Sequence, residues 1–187
     1  MSSSFLFYDL ETFGADPRRS RVAQFAAIRT DETLQEIDEP IDFLVRPAND
    51  LLPSPDATMV TGLAPQRALA EGVPECEAFS RIFEEMSRPQ TCTLGYNSLR
   101  FDDEFVRFGL YRNFFDAYER EWRGGNSRWD LLDVMRLAHA LRPDGIVWPT
   151  REDGATSFKL EHLALANDVR TGDAHEALSD VRALIGL

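Results

Sequence analysis

Two spacings of apolar residues divide the chain into strand-forming and helix-forming segments. Short runs rich in aromatic and β-branched residues predict buried strands over residues 5–10, 24–30, 41–46 and 91–96. Apolar residues at helical spacing predict helices over residues 74–86, 102–118, 129–141, 157–165 and from 173 to the last residue. Residues 47–63 are rich in Pro and Asp and predict a connection with one short helical turn.

The order of these segments predicts the fold class. The first three strands follow one another closely, which indicates an antiparallel start to the sheet. One further strand and several helices come after them. This order is typical of an α/β domain in which helices cover a mixed sheet.

The composition agrees with one globular domain. The 187 residues are 43% hydrophobic and 28% charged, which is enough to build a core, and no internal repeat or linker interrupts them. The sequence contains neither the roughly 20 apolar residues of a membrane helix nor a signal peptide, so we expect a cytoplasmic protein without a membrane partner. Cys76 and Cys92 lack metal-ligand spacing, and we expect reduced thiols.

The net charge of −12 disfavours simple electrostatic binding to nucleic acid, because such domains usually carry a basic face. The same charge is compatible with an enzyme whose acids surround divalent cations. The ions would then supply positive charge where a phosphate binds.

Asp9 and Glu11 are the first candidates for such chemistry. They stand two residues apart in an apolar strand, so both carboxylates point to the same face of the sheet. Their mutual repulsion in a partly buried strand would raise at least one pKa, and divalent cations would relieve it. The alternative is an edge strand whose acids face water.

Asp102 and Asp103 follow the strand over residues 91–96 and begin a predicted helix. Acids in a first helical turn are stabilised by the helix dipole, so a purely structural role at the helix start would by itself explain both residues. A loop at the end of a strand can also aim one of these acids toward Asp9 and Glu11. The location of the two acids just after this strand is what favours a role in the same site as Asp9 and Glu11.

His175 and Asp180 are five residues apart, which is roughly 140° around a helix. Both can face one site only if His175 precedes the regular helix, and Gly172 and Asp173 suit a loop and an N-cap before it. A histidine can accept a proton from water near neutral pH. The alternative is a polar residue at a helix start.

These regions together supply four acids and one histidine, which is what phosphodiester hydrolysis by two metal ions requires. One ion activates a water molecule, the other stabilises the leaving 3′ oxygen, and a general base accepts the proton. The candidate residues are Asp9, Glu11, Asp102, Asp180 and His175.

A series of motifs extends this pattern over nearly the whole chain: FYDLETFG, VTGLAPQ, LGYNSLRFDDEFVR, NSRWDLLDVMR, SFKLEHLALAN and AHEALSDV. On these motifs the chain resembles the DEDDh 3′→5′ exonucleases, and among them the N-terminal exonuclease domain of the exonuclease I family. The resemblance implies a ribonuclease H-like fold over residues 1–187, with a mixed β-sheet flanked by α-helices. It also implies release of nucleoside 5′-monophosphates from the 3′ end of single-stranded DNA.

The resemblance assigns roles to individual residues. Asp9, Glu11, Asp102 and Asp180 would bind two Mg²⁺ ions, or Mn²⁺ in their place, and His175 would be the general base. Residues beside the 3′-terminal nucleotide would be Glu11, Thr12 and Phe13, with Phe13 as a stacking surface, and Met59, Val60 and Thr61 would line the base pocket. For Arg136, Arg142 and Lys159 phosphate contacts and surface salt bridges are equal alternatives.

Two departures accompany the resemblance. Asn97 stands four residues before Phe101, whereas the broad superfamily has three, so choosing Asp102 over Asp103 depends on the exonuclease I family. That family continues into SH3-like and helical regions absent from these 187 residues. If those regions supply a basic, strand-guiding surface, the isolated domain would bind long DNA weakly.

Partners and roles also follow from the resemblance. It implies contact with single-strand DNA-binding protein through the absent regions, and roles in DNA repair, recombination and mismatch repair. The alternatives are a related ribonuclease, a polymerase proofreading exonuclease, a non-catalytic nucleic-acid-binding module and a metal-binding structural protein. A substrate pocket that tolerates a 2′-hydroxyl would distinguish a ribonuclease from a deoxyribonuclease.

Overall fold

A computed structural model of the chain describes residues 3–169 and 177–187. The sheet has the strand order β3-β2-β1-β4-β5. Its strands are β1 (Ser4–Thr12), β2 (Val22–Thr30), β3 (Ile41–Leu44), β4 (Thr91–Gly95) and β5 (Ser127–Asp130). β2 runs antiparallel to both β1 and β3, β4 runs parallel to β1, and β5 runs parallel to β4. The predicted antiparallel start and the α/β class are confirmed.

The helices cover both faces of this sheet. They are α1 (Pro55–Thr61), α2 (Pro65–Glu71), α3 (Glu75–Met86), α4 (Asp102–Arg112), α5 (Leu131–Leu141), α6 (Leu160–Ala166) and α7 (Ala177–Gly186). Pro55 and Pro65 begin their helices, where a missing N–H costs no hydrogen bond. In the described ranges no helix has the length and apolarity needed to cross a bilayer.

Alternate residues of β1 pack into two hydrophobic layers. Leu6 and Tyr8 pack in the layer that contains Phe79 of α3 and Phe105 of α4. Phe7 packs in the opposite layer, which contains residues of α5, α6 and α7. Burial on both faces explains the nearly continuous apolar run of β1. It also fixes which way the acids at the end of the strand point.

Strand β5 is absent from the sequence-based prediction, which began a helix at residue 129. Ser127 and Trp129 of this strand are exposed, while the two charged residues Arg128 and Asp130 are turned inward. Such a strand carries no apolar pattern. The helix that follows begins only at Leu131, and Asp130 caps it by accepting a hydrogen bond from the Leu132 N–H at 3.0 Å.

Other helix boundaries also differ from the prediction. The helix expected over residues 102–118 ends at Arg112, because the chain turns back and stacks Phe115 on Phe83 at 4.8 Å. The single turn expected within residues 47–63 is the full helix α1, and α2 follows it directly. The predicted start of the last helix near Asp173 lies outside the described residues.

Candidate active site

The four acids come from β1 and the first turns of two helices. Asp9 and Glu11 belong to the C-terminal half of β1, where they pair with Ala26 and Gln24 of β2. Asp102 is the first residue of α4, and Asp180 lies in the first turn of α7, which packs on β1. The fold therefore directs these side chains toward one end of the central strand.

The pKa values of these acids reflect their burial and their proximity to one another. Burial first, and then the charges of Asp102, Glu11 and Asp180, raise the pKa of Asp9 well above its ordinary value. Burial and the charge of Asp180 raise the pKa of Glu11 to about 8. Asp9 keeps some contact with solvent, but most of the surroundings of its carboxylate are protein. Like charges thus share a poorly hydrated site.

Asp102 shares this environment. Burial raises its pKa well above the ordinary value; a backbone hydrogen bond opposes this rise, and the charges of Asp103 and Glu11 add to it. Carboxylate oxygens are hard ligands of the kind that Mg²⁺ and Mn²⁺ prefer. A divalent cation would offset the repulsion between these carboxylates, so the donor set fits such ions.

The acids within the described residues do not form a complete, preorganised metal-coordination site. Among residues 3–169 and 177–187, no three His, Cys, Asp or Glu side chains are already arranged to hold an ion. His175, the predicted general base, lies outside the described residues.

Asp103 has the opposite environment to its neighbour Asp102. Its carboxylate accepts hydrogen bonds from the Tyr8 hydroxyl at 2.8 Å, Arg120 Nη2 at 2.7 Å and Arg128 Nη1 at 2.6 Å. Burial alone would raise the pKa of Asp103, but Arg120 and these bonds lower it below its ordinary value. Asp103 is thus a paired, structural carboxylate.

A cleft of about 380 Å³ opens beside the acids. The end of β1, the loop after it, α1 and the residue before α4 line this cleft. The lining residues are Leu10, Glu11, Thr12, Gly14, Ala15, Ser54, Asp56, Ala57, Val60, Thr61 and Phe101. The structure thus brings together four of the predicted substrate-contact residues, namely Glu11, Thr12, Val60 and Thr61.

Two other predicted contacts with the terminal nucleotide are placed differently. Phe13 is only 3% exposed and packs against Ala23, Leu44 and other core residues. The structure therefore does not present this ring to the cleft, because a register irregularity between Glu11 and Thr12 breaks the alternation at the end of β1 and turns Phe13 inward. Met59 is 83% exposed and does not line the cleft.

The three predicted phosphate contacts are exposed cations on or near α5 and α6. Arg136 pairs with Asp133 at 3.1 Å, and Lys159 pairs with Glu161 at 3.4 Å. Arg142 is exposed just after α5. The structure does not bring these cations into the lining of the cleft.

Sequence reasoning missed several residues that shape the site. Phe101 and Ser54 line the cleft, but nothing in their local sequence distinguishes them. Asp130 was detectable, because an acid just before an apolar helical run is a typical N-cap. Arg128 left no such signal, since an arginine in a short polar segment usually faces solvent.

Comparison with known proteins agrees with this geometry. The family model described as exonuclease, of the RNase T group, matches residues 6–187. The chain belongs to this exonuclease family. Exodeoxyribonuclease I of Escherichia coli strain K12 is 52% identical over 185 residues, which are 99% of this chain but 39% of that protein. The chain therefore spans about two fifths of the length of this relative.

Solved structures confirm the fold of this exonuclease-family chain. The structure of E. coli exonuclease I in complex with a dA16 oligonucleotide superposes with a TM-score of 0.96 at 53% identity, covering 98% of this chain and 39% of that one. The zinc-bound form of the E. coli enzyme with single-stranded DNA gives a TM-score of 0.95 at 52% identity, covering 99% and 39%. The ribonuclease H-like fold, with its mixed five-stranded sheet flanked by helices, is confirmed.

Proposed function

We propose that this chain is the catalytic domain of a metal-dependent 3′→5′ exodeoxyribonuclease that degrades single-stranded DNA to nucleoside 5′-monophosphates. The observation that carries the proposal is the set of mutually repelling carboxylates beside an open cleft. The E. coli relative is named exodeoxyribonuclease I and has been solved with an oligonucleotide. Its similarity supports DNA as the substrate.

The reaction is hydrolysis of the last phosphodiester bond. A water oxygen forms a bond to phosphorus, the bond from phosphorus to the 3′ oxygen breaks, and that oxygen leaves as the new 3′-hydroxyl. We assign Asp9, Glu11, Asp102 and Asp180 to hold the cations and His175 to accept the proton of the attacking water. Bound divalent ions would supply the positive charge that activates this water and stabilises the leaving oxygen.

The cleft would receive the terminal nucleotide. Glu11 and Thr12 at the end of β1 and Val60 and Thr61 of α1 all line it. A base packed against the apolar part of α1 would place the last phosphate near the acids. We keep Met59 as a contact to the terminal base, and Arg136, Arg142 and Lys159 as contacts to phosphates of the strand.

Mg²⁺ is the proposed cofactor, with two ions in the site, and Mn²⁺ is the substitute. Oxygen ligands favour both ions over softer metals. The zinc-bound form of the E. coli enzyme shows that a relative's crystal accepted a divalent metal. That observation supports a divalent cation rather than one particular element.

We further propose that residues 1–187 form one exonuclease domain, and that SH3-like and helical regions accompany it in the whole protein. The relative is more than twice as long as this chain, which supports further regions. A solved structure of SSB with exonuclease I, 52% identical here, supports single-strand DNA-binding protein as a partner. Roles in DNA repair, recombination and mismatch repair would follow from this chemistry.

A time course on a 5′-labelled single-stranded oligodeoxynucleotide tests the proposal. With Mg²⁺ or Mn²⁺ we expect a ladder that shortens from the 3′ end, and with EDTA or the Asp9→Asn variant we expect none. An RNA oligomer of the same sequence should stay intact. Cleavage of the RNA at the same rate would replace the proposal with a ribonuclease. Absence of cleavage with either metal would overturn it.

A further inference from the structure

The edge strand β5 has two polar side chains turned into the protein. Arg128 and Asp130 lie two residues apart, so the pleat directs both to the same side, while Ser127 and Trp129 are exposed. Asp130 is almost completely buried. Polar groups in such positions need partners, and those partners lie on either side of Asp102 in the sequence.

Asp130 holds the turn that leads into Asp102. Its Oδ1 accepts a hydrogen bond from the Asn97 N–H at 2.8 Å, and its Oδ2 accepts weaker bonds from the Leu99 N–H and Arg100 Nη1, both at 3.3 Å. Asn97 has a φ of +59°, a left-handed conformation that Asn tolerates better than most residues. Asp130 thus fixes a strained turn directly before Phe101 and Asp102.

Arg128 holds the residue that follows Asp102. Its Nη1 donates to Asp103 Oδ2 at 2.6 Å, while Arg120, which is 0% exposed, donates to Asp103 Oδ1 at 2.7 Å. Both carboxylate oxygens of Asp103 are therefore held at the first turn of α4. The backbone of Asp102 lies between two anchored segments, and both anchors include a residue of β5.

We propose that Arg128 and Asp130 are positioning residues that fix the carboxylate of Asp102 for cation binding. This inference rests on the proposed function, because it concerns the same acidic site. Buried ion pairs contribute little net stability after the cost of removing the charges from water. In this chain their role would be to hold the backbone on either side of Asp102, and residues that orient metal ligands typically change metal affinity about 10- to 100-fold when they are replaced.

Mn²⁺ titration of the chain tests the proposal, with the free-ion electron paramagnetic resonance signal as the readout. The variants are Arg128→Gln, Asp130→Asn and the conservative Arg128→Lys. The matched control is Arg29→Gln. Arg29 is more deeply buried than Arg128, and it donates to Ser4 Oγ at 2.7 Å and Thr91 Oγ1 at 2.9 Å at the opposite end of β1 and β4. Urea unfolding of each variant reports its stability separately.

We expect Arg128→Gln and Asp130→Asn to weaken Mn²⁺ binding by about 10-fold or more. They should raise the Mg²⁺ concentration for half-maximal cleavage to the same extent, and Arg128→Lys should recover part of the loss. Arg29→Gln should be destabilised with unchanged metal dependence. A smaller folded fraction would itself weaken apparent metal binding, so the variants are compared only under conditions in which urea unfolding shows each of them to be fully folded. A change in metal dependence under those conditions reports positioning rather than stability.

Two results would overturn the inference. If wild-type chain binds Mn²⁺ and both β5 variants bind it as tightly as Arg29→Gln does, β5 is merely structural. If wild-type chain binds no Mn²⁺, the acids are not a cation site and nothing is positioned. A wild-type chain that binds Mn²⁺ without cleaving DNA would contradict the proposed function, while the binding comparison would still decide the role of β5.

Discussion

Asp102 and Asp103 are adjacent in the chain, yet one lies among carboxylates and the other among arginines. The pKa of Asp102 is raised by burial and like charges, whereas Arg120 and Arg128 hold the pKa of Asp103 below its ordinary value. Successive residues in the first turn of a helix point about 100° apart, which is enough to separate the two environments. The same substitution at the two positions should therefore change the stability of the metal-free chain in opposite directions.

Replacing each of these acids by Asn should separate their roles. Asp103→Asn breaks a buried ion pair and should lower the free energy of unfolding by about 3–5 kcal/mol, because Arg120 loses its closer carboxylate partner and keeps only Glu121 at 3.7 Å. Asp102→Asn removes a repelling charge and should stabilise the metal-free chain while abolishing cleavage. Urea unfolding in EDTA measures both. The exposed Asp133→Asn is the control and should cost less than about 1 kcal/mol.

Stability of the metal-free chain should fall as the pH rises. The pKa of Glu11 is about 8 in the folded chain, above the ordinary value of a glutamic acid. The folded state therefore binds more protons than the unfolded state between these two pKa values. The contribution of Glu11 to stability should be greatest below the lower pKa, decrease through the interval and level off above about pH 8.

Urea midpoints at successive pH values in EDTA test this dependence. Glu11→Gln should flatten the curve, and saturating Mg²⁺ should raise stability most at high pH, where the ions meet ionised carboxylates. A metal-free chain that becomes more stable from pH 5 to pH 8 would contradict the raised pKa of Glu11.

Phe13 should contribute to the core rather than to substrate stacking. Phe13→Ala should lower the free energy of unfolding by about 3–5 kcal/mol, because it leaves a cavity among buried side chains. Phe13→Leu keeps most of the volume and should leave KM for an oligonucleotide within about twofold. A large rise in KM for the folded Phe13→Leu variant would restore the stacking role.

Filling the cleft should block the terminal nucleotide. Val60→Trp places a large ring on the cleft wall and should lower kcat/KM by roughly 10-fold or more. Leu69→Trp is the matched control, because Leu69 is exposed on α2 and does not line the cleft. Equal activity of the two variants would show that the substrate binds elsewhere.

Much of the fold was predictable from apolar spacing alone. The three strands that open the sheet and β4 have apolar or β-branched sequences, so periodicity finds them. Helix α3 was predicted within one residue because four apolar residues repeat on one face. Strand β5 was not predictable, since its inward residues are charged and their partners come from distant segments.

The candidate site was predictable to a similar degree. The strand period placed Asp9 and Glu11 on one face, but spacing alone could not distinguish Asp102 from Asp103. Only the tertiary positions of Arg120 and Arg128 separate that pair. The direction of Phe13 was also missed, because a register irregularity between Glu11 and Thr12 precedes it and breaks the simple alternation.

The fate of the water oxygen tests the proposed hydrolysis reaction most directly. Single-stranded oligodeoxynucleotide is digested with Mg²⁺ in H₂¹⁸O, and the products are examined by mass spectrometry. We expect mononucleotides released from the 3′ end, each with one ¹⁸O in its 5′-phosphate, and no such release by Asp9→Asn. Products with a 3′-phosphate, or label in the 3′-hydroxyl, would contradict attack at phosphorus with departure of the 3′ oxygen.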